Sequence, residues 1–149
     1  MKLTKRLTAA AVATATLAAV STPADAAGYT PEGVCGSGYK VVRYVTMTYA
    51  RTYLLYNSGN AYACVVTLHT GSAYGKAAST KAWLKQWNSG DQKTDSGSYA
   101  YYAGPIRMHV GSSGDCLFSG GITYGGKTDS GGFTDTHKPL RCSTGNYDV

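Results

Sequence analysis

Residues 52–69 constrain the fold of this chain more than any other stretch. Two runs rich in aromatic and β-branched residues flank Asn57-Ser-Gly-Asn60, a sequence suited to a tight reversal with positive φ. Alternation in the second run divides its residues between two strand faces. The face that we predict to point into the core consists of Tyr62, Cys64, Val66 and Leu68. The face predicted to point outward consists of Ala61, Ala63, Val65, Thr67 and His69.

The first 26 residues have the features of a secretory signal peptide. A positively charged start is followed by an alanine-rich apolar stretch over residues 7–20, and Ala24-Asp-Ala26 matches a small-x-small cleavage site. The apolar stretch is too short for a stable membrane span. We therefore predict export and cleavage after Ala26, which leaves a single secreted β domain over residues 27–149. An uncleaved membrane anchor is the alternative.

The net charge of the chain and its distribution indicate which class of partner the protein can bind. The chain has 14 basic and 8 acidic residues, a formal net charge of +6, and no lysine or arginine cluster occurs after residue 26. Because nucleic-acid-binding domains carry a basic patch or stripe, we predict no nucleic-acid partner. The mild positive charge is compatible with weak attraction to anionic polymers of the cell wall or spore surface.

Four cysteines in the exported part predict two disulfide bonds. Four cysteines allow three pairings, and we favour Cys35–Cys64 and Cys116–Cys142, which join neighbours along the chain and close loops of similar length. In the chain-entropy account, each bond would stabilise the fold by roughly 3–4 kcal/mol. A zinc site is the competing use of four cysteines, but the sequence has no Cys-x-x-Cys pair. We expect neither a metal nor a cofactor.

The remaining pattern consists of short alternating segments separated by turn residues, with no convincing amphipathic helix. It predicts an all-β fold, a single antiparallel β-sandwich, with a barrel as the alternative. Residues 81–87 are ambiguous. As a strand they place Lys81, Trp83, Lys85 and Trp87 on one face, and as a helix they group the two tryptophans with Leu84. The β context favours the strand.

Three local features carry specific expectations. Arg43 interrupts the alternation of residues 39–49, which predicts a bulge or an edge strand there. The pair Gly120-Gly121 predicts a bulge or kink. The sequence Lys-Thr-Asp-Ser-Gly occurs at 93–97 and again at 127–131. We interpret both copies as turn chemistry rather than as a duplicated hairpin.

The sequence gives little support for a catalytic site. The segment Asp129-Ser-Gly-Gly132 resembles the nucleophile segment of trypsin-like proteases, but such enzymes need two barrels and a general-base histidine, for which this chain is too short. His69 and His109 are predicted to point outward, and together with His137 they show no metal-ligand spacing. No carboxylate pair in an apolar setting suggests glycoside hydrolysis. We therefore expect a protein that is not an enzyme.

Aromatic residues offer the best candidate binding residues. The chain has 13 tyrosines and two tryptophans, and rings of this kind either cover a half-buried sheet or stack on sugars. A glycan-binding face would consist of Trp83, Trp87, Tyr99, Tyr101, Lys81 and Lys85. Burial of both indole rings in the core is the competing interpretation, because tryptophan is usually mostly buried. A secreted protease inhibitor is a further alternative, with Arg141 beside Cys142 as its bait residue.

Several segments spread from Cys35 to Cys142 also occur in the order of a known family. They are Cys35-Gly-Ser-Gly-Tyr39, Tyr53-Leu-Leu-Tyr-Asn-Ser58, Cys64-Val-Val-Thr67, Asp95-Ser-Gly-Ser-Tyr99, Tyr102-Ala-Gly-Pro105 and, more loosely, Cys116-Leu-Phe-Ser-Gly-Gly121. Together they resemble the spore-associated protein A family, small exported proteins of filamentous actinobacteria. The resemblance implies a secreted, extracellular protein recovered with the spore surface, and it supplies no catalytic residues.

Overall fold

Alternating segments of the sequence form β-strands throughout the part of the chain that the computed structural model describes, residues 28–147. The predicted signal peptide and its cleavage site lie outside the described residues. A short helix, α1 (Pro31–Cys35), comes first. The strands are β1 (Tyr39–Thr46), β2 (Ala50–Asn57), β3 (Tyr62–His69), β4 (Ala78–Gln86), β5 (Gln92–Tyr99), β6 (Tyr102–His109), β7 (Asp115–Tyr124), β8 (Lys127–Phe133) and β9 (Leu140–Arg141).

The strands form two antiparallel sheets. The first sheet has the order β1-β2-β3-β6, and the second has the order β5-β4-β7-β8, with β9 paired to β7. The core between them contains Leu54 and Val65 from the first sheet and Leu84 and Phe118 from the second. The predicted β-sandwich is therefore confirmed in preference to a barrel.

The helix α1 was not predicted from the sequence. The glycine-containing segment over residues 28–38 was expected only to lead into the first strand. Its first turn is capped by the Thr30 hydroxyl, which accepts a hydrogen bond from the Gly33 amide at 3.0 Å. It ends at Cys35, and the capping residue that follows is Gly36, whose φ of 112° suits glycine. Among residues 28–147, no helix has the length and hydropathy needed to cross a bilayer.

Both disulfides have the predicted pairing. Cys35 is bonded to Cys64, with their Cα atoms 6.1 Å apart, and this bond holds α1 against β3. Cys116 is bonded to Cys142, with their Cα atoms 5.2 Å apart, and it holds the C-terminal segment against β7. All four residues are buried.

The face of β3 that meets the second sheet is the opposite of the predicted one. Ala63 and Val65 lie in the core between the sheets. Cys64, Val66 and Leu68 pack on the other side of the first sheet, in a second cluster with Cys35, Tyr39 and Leu55. Because α1 covers this side, both faces of β3 are apolar, and alternation alone does not distinguish them. Tyr62, predicted to point into the core, is 37% exposed.

The hairpin of β2 and β3 forms in the predicted place, but its positive φ falls on Ala61 (60°) rather than on Gly59. Two asparagine side chains hold the turn. Asn57 Oδ1 accepts from the Gly59 amide at 2.9 Å, and Asn60 Oδ1 accepts from the Tyr62 amide at 3.1 Å. These Asx contacts stabilise the reversal around a non-glycine residue.

Both expectations for Arg43 are confirmed. The register between β1 and β2 shifts between Val41 and Arg43, as in a β-bulge, and β1 is the outermost strand of its sheet. The guanidinium of Arg43 lies 4.6 Å from the centre of the Phe133 ring. The bulge therefore lets the Arg43 side chain depart from the alternating pattern of the strand. Its guanidinium packs on the Phe133 ring at the edge of the sandwich.

The two Lys-Thr-Asp-Ser-Gly copies are not turns. Residues 93–97 lie within β5 and residues 127–131 within β8, so the turn interpretation was wrong. Local composition favoured a turn, but pairing with β4 and β7 overrides it. The two copies occupy the two opposite outer strands of the second sheet.

The aspartate of each copy bonds to the backbone of the first sheet. Asp95 Oδ2 accepts from the Gly104 amide on β6 at 2.7 Å. Asp129 Oδ2 accepts from the Thr48 amide, just beyond β1, at 2.9 Å. Hydrogen bonds from a backbone amide to a carboxylate are stronger than neutral ones. The repeated pentapeptide thus fastens the two sheets together along both edges of the sandwich.

The pair Gly120-Gly121 forms no bulge, because β7 pairs with β4 and β8 without a register shift. Gly120 faces the first sheet, where a Cβ would overlap the hydroxyls of Thr52 and Thr67. Those two hydroxyl oxygens lie 2.8 Å apart, and the Thr67 hydroxyl donates to the Lys81 carbonyl at 2.9 Å. Gly120 therefore allows close approach of the two sheets.

Candidate functional site

Residues 81–86 form part of a strand, as favoured from the sequence, so Lys81, Trp83 and Lys85 lie on one face of β4. Ala82 and Leu84 alternate with them and are buried in the core. The face that carries the tryptophan therefore points away from the first sheet. We call the surface formed by Lys81, Trp83, Lys85 and Trp87 the tryptophan face.

Trp87 lies just beyond the end of β4 and extends the tryptophan face. Its ring is 37% exposed and lies 5.8 Å from the Lys85 ammonium nitrogen, a cation–π distance. Its backbone amide donates to the Asp115 carbonyl at 2.8 Å, which fixes the position of the residue. Trp83 is half-buried. The competing interpretation, in which both indole rings are buried in the core, does not hold.

Tyr99 and Tyr101 do not join the tryptophan face. Tyr99 pairs with Ala78 of β4 and packs against the core between the sheets. Its hydroxyl donates to Asp95, and this hydrogen bond raises the pKa of the Tyr99 phenol. Tyr101 is 40% exposed and its ring centre lies 5.1 Å from that of Tyr74, in a separate cluster. The structure thus brings four of the six candidate binding residues together.

A second candidate site, which the sequence did not reveal, is a cavity at one end of the first sheet. Its volume is about 570 Å³, within the range of small-molecule sites. It lies where β1 and β3 end and β2 begins. We call it the tyrosine cavity. Its aromatic and apolar lining consists of Tyr29, Tyr53, Tyr74, Met47 and Leu68, and its polar lining includes Arg51, Thr46, Thr48 and Thr70.

Tilted and edge-to-face ring contacts position the tyrosines at one side of this cavity. The Tyr29 ring centre lies 4.9 Å from that of Tyr102 and 5.2 Å from that of Tyr101. The Tyr74 hydroxyl accepts a hydrogen bond from the Tyr29 amide at 3.2 Å. The segment that precedes α1 is therefore held against the end of the first sheet by three other tyrosines.

Arg51 supplies the positive charge of the tyrosine cavity. Its Nε donates to the Thr46 hydroxyl at 3.0 Å, and its guanidinium carbon lies 4.9 Å from the centre of the Tyr44 ring. Within residues 28–147, no carboxylate lies at ion-pair distance from this guanidinium. The side chain is thus oriented by a hydroxyl and a ring.

His69 also borders the tyrosine cavity, and its predicted outward orientation was wrong. The residue is buried, with Nδ1 3.1 Å from the Ala73 carbonyl and Nε2 2.6 Å from the Thr80 hydroxyl. His69 lies on the same face of β3 as Ala63 and Val65, the face that meets the second sheet, which explains its burial. Both ring nitrogens are engaged, so His69 has a structural role. His109 is exposed, as predicted.

The other candidate residues have structural partners. Asp129 bonds to the first sheet, as described above, and Ser130 beside it lies exposed within β8. Arg141 lies in β9 and its Nε is 3.5 Å from Asp115 Oδ1. A protease inhibitor presents its bait residue on an exposed loop, whereas Arg141 is half-buried in a paired strand. This geometry does not favour the inhibitor hypothesis.

The tyrosine cavity could not be found from sequence periodicity, because its lining comes from four separate segments of the chain. The only signal was the number of tyrosines. The strand pattern predicted neither the position of Arg51 beside Tyr44 nor the contact of Tyr29 with Tyr74 and Tyr101. The contacts of Tyr29 depend on how the N-terminal segment packs against the end of the first sheet.

Comparison with known proteins gives one informative similarity. The chain is 37% identical over 110 residues to Spore-associated protein A of Streptomyces coelicolor. This alignment covers 73% of the present chain and 68% of that protein. No family model matches the chain. No solved structure matches it.

Proposed function

The chain belongs to the spore-associated protein A family, and on that premise we propose that it is an exported, non-enzymatic protein associated with the spore or cell envelope. The name of the relative is the single observation that carries the spore association. The two buried disulfides support export, because such bonds persist mainly in oxidising compartments outside the cytoplasm. The proposed location is extracellular, at the spore surface.

The surroundings of the candidate catalytic side chains support a non-enzymatic role. His69 is bonded through both ring nitrogens, and Asp129 bonds to the Thr48 amide. A general base must be able to reach a substrate proton. These two side chains instead hold segments of the fold together.

Fractionation of a sporulating culture tests the proposal. We expect most of the protein in the washed spore fraction, detected with an antibody, and little of it in the medium. An unrelated secreted protein from the same culture serves as the control for trapped medium. Finding the protein only in the medium of early vegetative growth would contradict the proposed association.

A second candidate function is glycan binding by the tryptophan face. The observation that favours it is the alignment of Trp83 with Lys81 and Lys85 on the outward side of the second sheet, next to the exposed Trp87. Indole rings stack on sugars, and ammonium groups attract anionic polymers. Cell-wall or spore-surface polymers are the proposed partners.

Retention on insoluble chitin, cellulose and peptidoglycan tests this second function. We expect the combined Trp83→Ala and Trp87→Ala variant to be retained at least about tenfold less than the unmodified protein, because both stacking rings are removed. Tyr62→Ala is the matched control, since Tyr62 is as exposed as Trp87 but lies on the first sheet. Undiminished retention of the double variant would exclude the tryptophan face as the site.

A further inference from the structure

We propose that the tyrosine cavity binds a saccharide bearing a carboxylate group. The inference concerns a soluble ligand at a site on the first sheet, so it depends neither on the spore association nor on the tryptophan face. Three features of the cavity support it: its aromatic walls, its oriented guanidinium, and its mixture of hydroxyl and apolar lining groups.

The aromatic walls suit a sugar ring. Tyr29, Tyr53 and Tyr74 line the cavity together with the apolar side chains of Met47 and Leu68. A pyranose has one apolar C–H face that packs on such rings, and its hydroxyls need hydrogen-bond partners around the edge. Tyr29 is already positioned by its contacts with Tyr101 and Tyr102, so its ring loses little freedom on binding.

The oriented guanidinium specifies an acidic ligand. Arg51 is fixed by one hydrogen bond from Nε to Thr46 and by stacking on Tyr44. Guanidinium groups bind carboxylates through paired hydrogen bonds, and pre-orientation of the side chain lowers the entropy lost on binding. The Asp129 carboxylate accepts from the Thr48 amide and forms no ion pair with Arg51.

The remaining lining groups match the hydroxyls of a saccharide. Thr46, Thr48 and Thr70 border the cavity, and each threonine hydroxyl can both donate and accept. The Thr46 hydroxyl already accepts from Arg51, but an apolar ligand such as a fatty acid would cover the Thr48 and Thr70 hydroxyls without offering them hydrogen bonds. A ligand with sugar rings, hydroxyls and a carboxylate satisfies all three sets of groups.

Calorimetric titration of the mature protein with trigalacturonic acid at low salt tests the proposal. We expect saturable one-site binding. Fully methyl-esterified trigalacturonate has the same sugar skeleton without the charge, and we expect it to bind at least about tenfold more weakly because it cannot pair with Arg51. Equal affinity for the two saccharides, or no binding of the acid, would overturn the proposal.

Variants of the protein locate the binding site. Arg51→Gln should weaken binding of trigalacturonic acid by at least about tenfold. Arg43→Gln is the matched control, since Arg43 also lies on the first sheet and stacks on an aromatic ring, but outside the cavity. We expect its affinity to stay within about twofold. Equal losses in both variants would show a general charge effect and contradict a defined site.

Two further variants cover the remaining outcomes. Tyr29→Ala alters a residue that is 48% exposed and precedes the first strand, so the two sheets should stay folded while binding weakens at least about threefold. This variant keeps the test valid if Arg51→Gln has a changed melting curve. Trp83→Ala should bind normally. If Trp83→Ala abolishes binding while Arg51→Gln and Tyr29→Ala do not, the saccharide binds to the tryptophan face and the inference is wrong.

Discussion

Replacing Cys35 and Cys64 together by alanine is expected to lower the melting temperature by about 10–15 °C. The bond between them closes a loop with a sequence separation of 29 residues, for which the chain-entropy account gives roughly 3–4 kcal/mol. It also holds α1 over the cluster formed by Val66, Leu68 and Leu55 on the first sheet. Without the bond, this five-residue helix would depend on its packing and on the hydrogen bonds that Arg107 donates to the Val34 and Cys35 carbonyls.

Thermal unfolding followed by circular dichroism measures this effect. Repeating the measurement in a reducing agent is the control, because the bond is then open in both proteins and most of the difference should vanish. Mass mapping of a non-reduced digest should show a peptide linking Cys35 to Cys64. A link from Cys35 to Cys116 or Cys142, or a shift below about 3 °C, would refute the stabilising role assigned to this bond.

The substitution Gly120→Ala should cost about 2–4 kcal/mol of unfolding free energy. Its methyl group would overlap the hydroxyls of Thr52 and Thr67, which are buried and hydrogen-bonded to each other. Relief of this overlap requires either separation of the two sheets or loss of that hydrogen bond. Because the two threonines lie on neighbouring central strands, neither can move without disturbing the core.

Gly121→Ala is the matched control, one residue along the same strand. A methyl group there would approach no closer than 3.4 Å to the Asp129 carbonyl oxygen, an ordinary contact. We expect its stability to be unchanged or slightly raised, since alanine reduces the freedom of the unfolded chain. Urea unfolding of both variants measures the difference. Equal midpoints for the two would mean that Gly120 has no special role in sheet contact.

Local sequence rules predicted the parts of this fold that depend on neighbours in the chain. The hairpin around Asn57-Ser-Gly-Asn60, the strand over 81–86, the irregularity at Arg43 and both cysteine pairings are all found. In each case, alternation, turn residues or loop length carried the information. These features depend little on how the two sheets meet.

Apart from the short helix α1 and the positive φ at Ala61, the failures concern long-range packing. The inward face of β3 was assigned wrongly because α1 makes its other face apolar too. The pentapeptide at 93–97 has turn composition but pairs as a strand, and Gly120 serves sheet contact rather than a bulge. The tyrosine cavity was missed for the same reason, since Arg51 and Tyr29 come together only in the folded protein.

The two outer strands of the second sheet also bear on how copies of this protein behave when crowded. An outermost strand offers unpaired backbone groups to which a strand of another molecule can add, which leads to fibres. β5 and β8 both carry a lysine, an aspartate and a glycine from the repeated pentapeptide. Charged side chains and glycines in an outermost strand disfavour the pairing of a further strand with it. The outer strands of the second sheet are thus poorly suited to pairing with a strand of another copy, even at high protein concentration.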